Sequence, residues 1–220
     1  MNAWRFIESP PADIFCQMAL DRELFEEFVQ QLSLPPLLRI FRASEPAVTV
    51  GRLFATRSVS SDVPVCVRPT GGGLVRHGED LIYSVLARRD SFPTFGMVRT
   101  SYLSFHEAVQ EAFGALGFET RLLRCDEVRS NRHPERSEGS RSFGPLALRM
   151  TRKNIITECF KEPVATDVLL EEEKVAGGGQ WRRREGFLHQ GSIQIPAGVM
   201  YEHLRDALKT VFAKKFGIDW

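Results

Sequence analysis

Three consecutive glycines at positions 71–73 constrain the fold of this chain more than any other feature. They lie inside the segment 68–77 (RPTGGGLVRH), between the apolar runs 63–67 and 81–86, which are typical of short strands. Glycine has no side chain to pack, so such a run acts through its backbone, which can adopt positive φ and present N–H groups to a ligand. The segment predicts either a tight hairpin turn or a cradle for a carbonyl, carboxylate or phosphate group.

A second glycine run supports the cradle over the turn. It lies at positions 174–180 (KVAGGGQ) and is followed by LHQGSI at 188–193. Together with MALD at 18–21 and PAVTVGR at 46–52, these segments resemble the catalytic domain of the lipoate/biotin protein ligase superfamily. Each motif is weak by itself, but four in this order are specific, and the resemblance covers nearly the whole chain.

Composition excludes several other classes of protein. The 220 residues suffice for one domain, and a net charge of +1 gives no electrostatic case for a nucleic acid or an anionic membrane as partner. No apolar run approaches the roughly 18 residues of a membrane span, and the N-terminus lacks the apolar core of a signal peptide. The four cysteines show no C-x-x-C spacing, so we expect no disulfide, no structural zinc and a cytoplasmic location.

The hydrophobic periodicity predicts an α+β fold. Helical spacing occurs at 12–31, with Asp13 as N-cap, at 98–116, ending at Gly117, and at 201–216. The predicted strands form two groups along the chain: 4–8, 37–41, 47–50, 63–67 and 81–86, then 118–123, 164–170, 174–179 and 186–196. We therefore expect a mixed, largely antiparallel central sheet flanked by helices. The resemblance implies the same architecture, that of a biotin/lipoate ligase catalytic domain.

One segment departs from this pattern. Residues 129–152 are mostly polar, mixed in charge and poor in β-branched side chains, so they cannot bury enough surface to offset their ordering entropy. We predict a disordered insertion in a surface connection, interrupting a single domain that spans residues 1–220. A functional lid is the alternative.

Cys159 is the candidate nucleophile. A lone cysteine is more often a small buried apolar residue, and the residue type alone does not favour catalysis. Cys159 and Phe160, however, lie upstream of a Lys-Val-x-Gly motif, and this arrangement is similar to the octanoyltransferase branch of the superfamily, which forms an acyl thioester. The resemblance thus implies a nucleophilic role. The remaining thiols match no such motif, and we expect them to be packing residues: Cys16, Cys66 and Cys125.

Lys174 is the second candidate. A lysine beside glycines is a solvated charge by default, but the resemblance implies that it contacts the acyl group. Next to Cys159 its ammonium would stabilise the thiolate and relay a proton. The glycine runs would supply N–H groups for the tetrahedral oxyanion. The expected site has Cys159 and Lys174 as catalytic residues, no metal, and a substrate-binding set of Arg68, Gly71, Gly72, Gly73, His77, Gly177, Gly178, Gly179 and His189.

The resemblance implies an acyltransferase of protein lipoylation that uses no cofactor. It would move an octanoyl or lipoyl group from acyl carrier protein to a lysine of a lipoyl domain, such as the glycine cleavage H protein or a dehydrogenase E2 component. Two alternatives stay open: a lipoate–protein ligase that uses ATP and Mg²⁺, and a non-catalytic acyl-binding protein on the same fold. The basic run 182–184 would face the acidic carrier protein if it is not simply a solvated turn.

Overall fold

The computed structural model describes residues 2–53, 59–124, 126–127 and 164–220. The predicted insertion at 129–152 lies outside the described residues, as do Cys125 and Cys159. Three helices are described: α1 (Ile14–Gln30), α2 (Val98–Ala115) and α3 (Tyr201–Phe216). Twelve strands are described: β1 (Asn2–Ala3), β2 (Arg5–Glu8), β3 (Leu37–Phe41), β4 (Ala47–Gly51), β5 (Val65–Arg68), β6 (Leu74–His77), β7 (Leu81–Ala87), β8 (Thr120–Leu122), β9 (Val168–Leu170), β10 (Glu173–Arg182), β11 (Phe187–Ile193) and β12 (Ile218–Asp219).

The central sheet has seven strands in the order β2-β3-β7-β11-β10-β9-β8. Its neighbouring strands are antiparallel, except that β2 runs parallel to β3. A second, three-stranded sheet has the order β5-β4-β6, and β1 pairs with β12. The predicted α+β fold with a mixed, largely antiparallel central sheet is therefore confirmed.

Local signals set the helix boundaries. The Asp13 carboxylate accepts hydrogen bonds from the backbone N–H groups of Phe15 and Cys16, which would otherwise be orphaned in the first turn of α1. Past the end of α2, Gly117 adopts a φ of 85°, and Gly217 caps α3 with a φ of 61°. Both conformations lie in the left-handed region that glycine adopts without steric cost.

The two faces of the central sheet pack against different partners. One face forms the larger core with α2 and α3, and its centre is aromatic: Phe95, Phe105, Phe113, Phe187, Phe212 and Phe216. The opposite face packs against α1, where Phe25 and Phe28 meet Leu86 and Leu188. The small sheet lies on this second side too, since Ala47 and Cys66 share a cluster with Met18 and Ile82. Successive side chains of β11 alternate between the faces, so Gln190 and Ser192 point towards α1 and the small sheet.

The structure corrects two details of the predicted fold. The hairpin alternative for the first glycine run is wrong, because β5 and β6 lie on opposite sides of β4 and β7 belongs to the central sheet. The predicted strand 164–170 begins only at Val168. The residues before it form a turn in which Thr166 has a φ of 80°, and this turn places Asp167 at the start of β9.

Candidate active site

A cavity lies between the central sheet, the small sheet and α1. Its wall combines apolar side chains with glycine backbone and a few polar groups. The lining residues are Met18, Thr49, Arg68, Val75, His77, Ile82, Lys174, Gly177, Gly178, Gly179, Gln190, Gly191 and Ser192. An apolar cavity with a few convergent polar groups is the usual form of a small-molecule site. Arg68, His77, Lys174 and the second glycine run, predicted from sequence as site residues, thus meet at one place.

The two glycine runs touch each other through their backbones. A Cβ added to Gly179 would lie 2.6 Å from the carbonyl oxygen of Gly71 and 3.0 Å from Oγ1 of Thr70. A Cβ on Gly51 would lie only 2.2 Å from the carbonyl oxygen of Gly72. Glycine is therefore required at positions 51 and 179, because any side chain there would push the loop away from the sheet. That residues 71–73 present N–H groups to an oxyanion stays a prediction.

Lys174 is buried and paired with a carboxylate. Its Nζ lies 2.7 Å from Oδ2 of Asp167, and the two side chains are 5% and 2% exposed. Asp167 also accepts a hydrogen bond from the N–H of Val164. A Cβ on Gly177 would lie 2.7 Å from the Lys174 Nζ, so the small residue makes room for the ammonium. Lys174 is therefore not solvent-exposed, as a lysine usually is. Its ammonium group lies at the cavity wall.

Sequence reasoning missed Asp167, although a signal for it existed. In the β9–β10 hairpin Val168 pairs with Ala176, so the residue before Val168 lies beside Gly177. This register places the Asp167 carboxylate, one residue before β9, beside Gly177 and within reach of the Lys174 ammonium. Predicting the register of this hairpin would have identified the pair.

Arg68 joins the first glycine loop to the small sheet. Its Nε and Nη2 donate to the carbonyl oxygen of Gly71 at 3.1 and 2.7 Å. Its Nη1 lies 3.3 Å from both the carbonyl oxygen and the Oγ1 of Thr49. Because the guanidinium is planar and rigid, these contacts fix the loop relative to β4.

His77 lies in a chain of buried polar groups. Its Nε2 is 2.8 Å from Oγ1 of Thr49, and its Nδ1 is 2.8 Å from Oδ2 of Asp80. The same Asp80 oxygen accepts a hydrogen bond from the Ser192 hydroxyl at 2.7 Å, and the other accepts one from the N–H of Gly78. Thr49, Asp80 and Ser192 were not predicted. An aspartate three residues after His77 was the available signal.

His189 lies behind the glycine strand, among the residues of the aromatic core. It is fully buried, and a Cβ on Gly178 would lie 2.6 Å from its Cε1. Its ring nitrogens are 3.2 Å from the Tyr83 hydroxyl and from Nε2 of Gln180. His189 is absent from the cavity wall described above, so its contact with the site runs through the Gly178 backbone.

Burial of two histidines predicts a loss of stability in mild acid. Burial, together with the nearby His106, holds the pKa of His189 well below 6.5, and burial also lowers the pKa of His106. Well above pH 6.5 both rings are neutral in the folded and unfolded states. As the pH falls, the unfolded chain takes up protons that the buried rings do not, so the free energy of unfolding decreases by up to about 2 kcal/mol per ring between pH 7 and pH 5. Urea unfolding at each pH measures this slope. His189→Gln should flatten it, and an unchanged slope in that variant would rule out the assignment to His189.

A buried polar network supports the cavity from the side of α1. The Asp21 carboxylate pairs with Arg39 at 2.6 Å and accepts hydrogen bonds from Ser84 and from Nε2 of Gln190. The side-chain amide oxygen Oε1 of Gln190 in turn accepts a hydrogen bond from the Thr70 hydroxyl at 2.7 Å. Gln190 therefore connects α1 to the residue that precedes the first glycine run.

The basic run 182–184 is mostly engaged within the protein. Arg182 donates to the carbonyl oxygens of Phe95 and Gly96, and Arg183 pairs with Glu26. Of the three arginines in this run, Arg184 is the exposed one. The structure thus provides a structural role for two of the three arginines.

The cysteines within the described residues differ in environment. Cys66 is buried, and burial with the nearby Asp13 raises the pKa of its thiol to about 11. Cys16 is exposed on α1, so the prediction that it is a packing residue is wrong. The helix turns this position to solvent while Ile14 and Gln17 point inward.

Comparison with known proteins establishes the family. The model of the lipoyl protein ligase A/B catalytic domain matches residues 13–217, so the chain belongs to that family. Octanoyltransferase LipM of Oceanobacillus iheyensis is 26% identical over 203 residues, which cover 89% of this chain and 65% of that protein. Octanoyltransferase LipM of Bacillus subtilis is 26% identical over 201 residues, covering 88% of this chain and 66% of that protein. The chain thus spans about two thirds of the length of these curated relatives.

Solved structures confirm the fold. A protein of Thermoplasma acidophilum, determined with bound lipoic acid, superposes with a TM-score of 0.71 at 20% identity and covers 100% of this chain and 88% of its own. Lipoate-protein ligase A bound with ATP gives a TM-score of 0.72 at 19% identity, covering 100% of this chain and 87% of its own. Among the described helices, none has the length and apolar character needed to cross a membrane.

Proposed function

We propose that this chain transfers an octanoyl group to a lysine of a lipoyl domain. The observation that carries the proposal is the buried Lys174–Asp167 pair on the wall of a cavity bounded by glycine backbone. An ammonium fixed at such a wall is placed to stabilise negative charge on a reacting acyl group. The relatives named octanoyltransferase, at 26% identity, support octanoyl as the group transferred.

The proposed chemistry takes place in two steps. The Cys159 thiolate attacks the carbonyl carbon of the octanoyl thioester, the bond to the carrier sulfur breaks, and the carrier thiol leaves with a proton. The amine of the acceptor lysine then attacks the carbonyl carbon of the enzyme thioester and forms the amide. The carbon–sulfur bond breaks, its electron pair stays on the Cys159 sulfur, and the proton lost by the amine restores the Cys159 thiol. Lys174 would lower the thiol pKa of Cys159 and relay the proton, with Asp167 holding its ammonium in place.

The substrates and the organisation of the chain follow the same proposal. Acyl carrier protein is the proposed donor, and lipoyl domains of the H protein or E2 type are the proposed acceptors. The thioester of the donor is already activated for attack by an amine, so the proposed transfer needs no cofactor. We propose a single domain over residues 1–220, interrupted at 129–152, that acts in the cytoplasm.

An acyl-transfer assay without nucleotide tests this function. The purified chain is incubated with octanoyl-acyl carrier protein and a lipoyl domain, and the acceptor is weighed by mass spectrometry. The proposal predicts an octanoylated acceptor without ATP. Modification only with free lipoate, ATP and Mg²⁺ would make the chain a ligase. No modification under either condition would leave a non-catalytic acyl-binding protein.

A further inference from the structure

The hydrogen-bonded series Thr49–His77–Asp80 has the layout of a nucleophile, a base and an orienting carboxylate. The two links measure 2.8 Å each, from Thr49 Oγ1 to His77 Nε2 and from His77 Nδ1 to Asp80 Oδ2. Hydroxyl nucleophiles of acyl-transfer enzymes are recognised by this geometry and not by their order in the sequence. The two-step function proposed above uses none of these three side chains.

The position of each proton in this series follows from its partners. Burial acts to raise the pKa of Asp80, but the interaction with His77 and hydrogen bonds from His77, Ser192 and Gly78 outweigh it and hold the pKa below 3.8. The carboxylate is therefore ionised at neutral pH and can only accept hydrogen bonds. In the neutral ring Nδ1 must then carry the proton. Nε2 is left as the acceptor for the hydroxyl proton of Thr49.

Two further contacts suit a reactive hydroxyl. Nη1 of Arg68 lies 3.3 Å from Thr49 Oγ1, and a cation at that distance stabilises an oxygen that loses its proton. The Ser192 hydroxyl donates to the same Asp80 oxygen as His77, and the N–H of Gly78 donates to the other oxygen, so the carboxylate is held in place. Asp80, Thr49 and His77 are 1%, 1% and 7% exposed, so the series is shielded from bulk water.

The series also opens onto the proposed acyl site. Thr49, His77, Arg68 and Ser192 line the same cavity as Lys174. β4 and β6 are hydrogen-bonded neighbours, with Thr49 opposite Val75 and Ala47 opposite His77, so the two side chains are held by one rigid pair of strands. The Thr49 hydroxyl therefore belongs to the wall of the cavity proposed to hold the acyl carbonyl.

We propose that Thr49 is a second acyl acceptor, which gives the protein a slow octanoyl-thioester hydrolase activity that is independent of Cys159. The inference rests on the proposed function, in that it takes the cavity to bind an octanoyl group. Its substrate class is medium-chain acyl thioesters, and its products are the free fatty acid and a thiol.

The reaction proceeds by ordinary ester chemistry. Oγ1 of Thr49 attacks the thioester carbonyl carbon while its proton moves to Nε2 of His77; the carbon–sulfur bond then breaks and the departing sulfur takes that proton. A water molecule next attacks the Thr49 ester, again giving a proton to His77. The carbon–oxygen bond breaks, octanoic acid leaves, and the proton on His77 restores the Thr49 hydroxyl.

The hydrolase activity can be measured separately from the transfer reaction in a variant that lacks Cys159. The Cys159→Ser chain is incubated with octanoyl-acyl carrier protein, and both free octanoate and the acylated peptides are measured by mass spectrometry. We expect octanoate release and an octanoyl ester on the peptide that contains Thr49, stable to neutral hydroxylamine. Adding Thr49→Val, or His77→Gln, should lower the release about 100-fold, the usual contribution of a positioned base.

Two control variants distinguish a catalytic role of the Thr49 hydroxyl from a structural one. Thr49→Ser in the same background keeps the hydroxyl and should retain hydrolysis. Thr120→Val, which removes a hydroxyl on the edge strand β8 that does not line the cavity, should leave hydrolysis unchanged. Equal octanoate release by the Thr49→Val chain would overturn the inference, as would no release from a Cys159→Ser chain whose Cys159 parent octanoylates a lipoyl domain. If the parent transfers nothing, the proposed function fails first, and the inference falls with it.

Discussion

Replacing Lys174 by methionine is expected to lower the rate of octanoyl transfer about 100- to 1,000-fold. Methionine has a similar length and no charge, so the substitution removes the ammonium that would stabilise the Cys159 thiolate and the developing oxyanion. Loss of one fixed electrostatic group from an acyl-transfer site has effects of this size. The remaining Asp167 carboxylate, 2.7 Å from the original ammonium, would disfavour a thiolate still further. The initial rate of lipoyl-domain octanoylation measures the change.

A double variant separates this effect from misfolding. Lys174→Met leaves the buried carboxylate of Asp167 without its cation, which by itself destabilises the fold. Lys174→Met combined with Asp167→Asn removes both charges, so we expect near-parental stability in urea and the same loss of transfer. Transfer by the double variant within about threefold of the parent rate would show that the buried pair is structural only.

Replacing Asp21 by alanine is expected to destabilise the protein by about 3–5 kcal/mol, because it leaves the Arg39 guanidinium buried without its carboxylate. Both side chains are 0% exposed, and the carboxylate also holds Ser84 and Gln190. Arg39 cannot lose its proton to escape the cost. Urea unfolding at pH 7 gives the change in free energy. The cavity wall should also be disturbed, because the Gln190 side chain would lose its hydrogen bond to Asp21.

Replacing the other partner of the pair, Arg39→Met, should destabilise the protein less than Asp21→Ala does. Burial raises the pKa of Asp21, against the lowering effects of Arg39 and of its hydrogen-bond donors. Without the arginine the carboxyl can take up a proton and become neutral. The expected order of stability is therefore parent, then Arg39→Met, then Asp21→Ala. An Asp21→Ala loss of under about 1 kcal/mol, the value of an exposed ion pair, would contradict this account of the network.

Local signals in the sequence were enough to predict the helices. Asp13 caps α1, Gly117 follows α2, and the pattern 201–216 matches α3 to the residue. Each signal acts within a few positions of the residue that carries it. The strand β6 was not predicted, because its four residues follow the glycine run directly and are too few to show alternation.

Partners across the fold were much harder to predict. Arg68, His77 and Lys174 were singled out from motifs, but Asp167, Thr49 and Asp80 were not. The role of Thr49 depends on strand order, because Thr49 meets His77 only where β4 pairs with β6. The contact of Gly179 with Gly71 likewise requires the small sheet to lie over the central one. Single-sequence patterns describe neighbours along the chain and contain no information on this order.

The account depends most on a thioester at Cys159. The most direct measurement is the intact mass of the purified chain after incubation with octanoyl-acyl carrier protein without ATP, beside the Cys159→Ser variant. The account predicts an octanoyl adduct on the parent that neutral hydroxylamine removes, that maps to Cys159, and that is lost when a lipoyl domain is added and becomes octanoylated. A parent chain with no hydroxylamine-labile adduct, or an equally labile adduct on the Cys159→Ser variant, would contradict it.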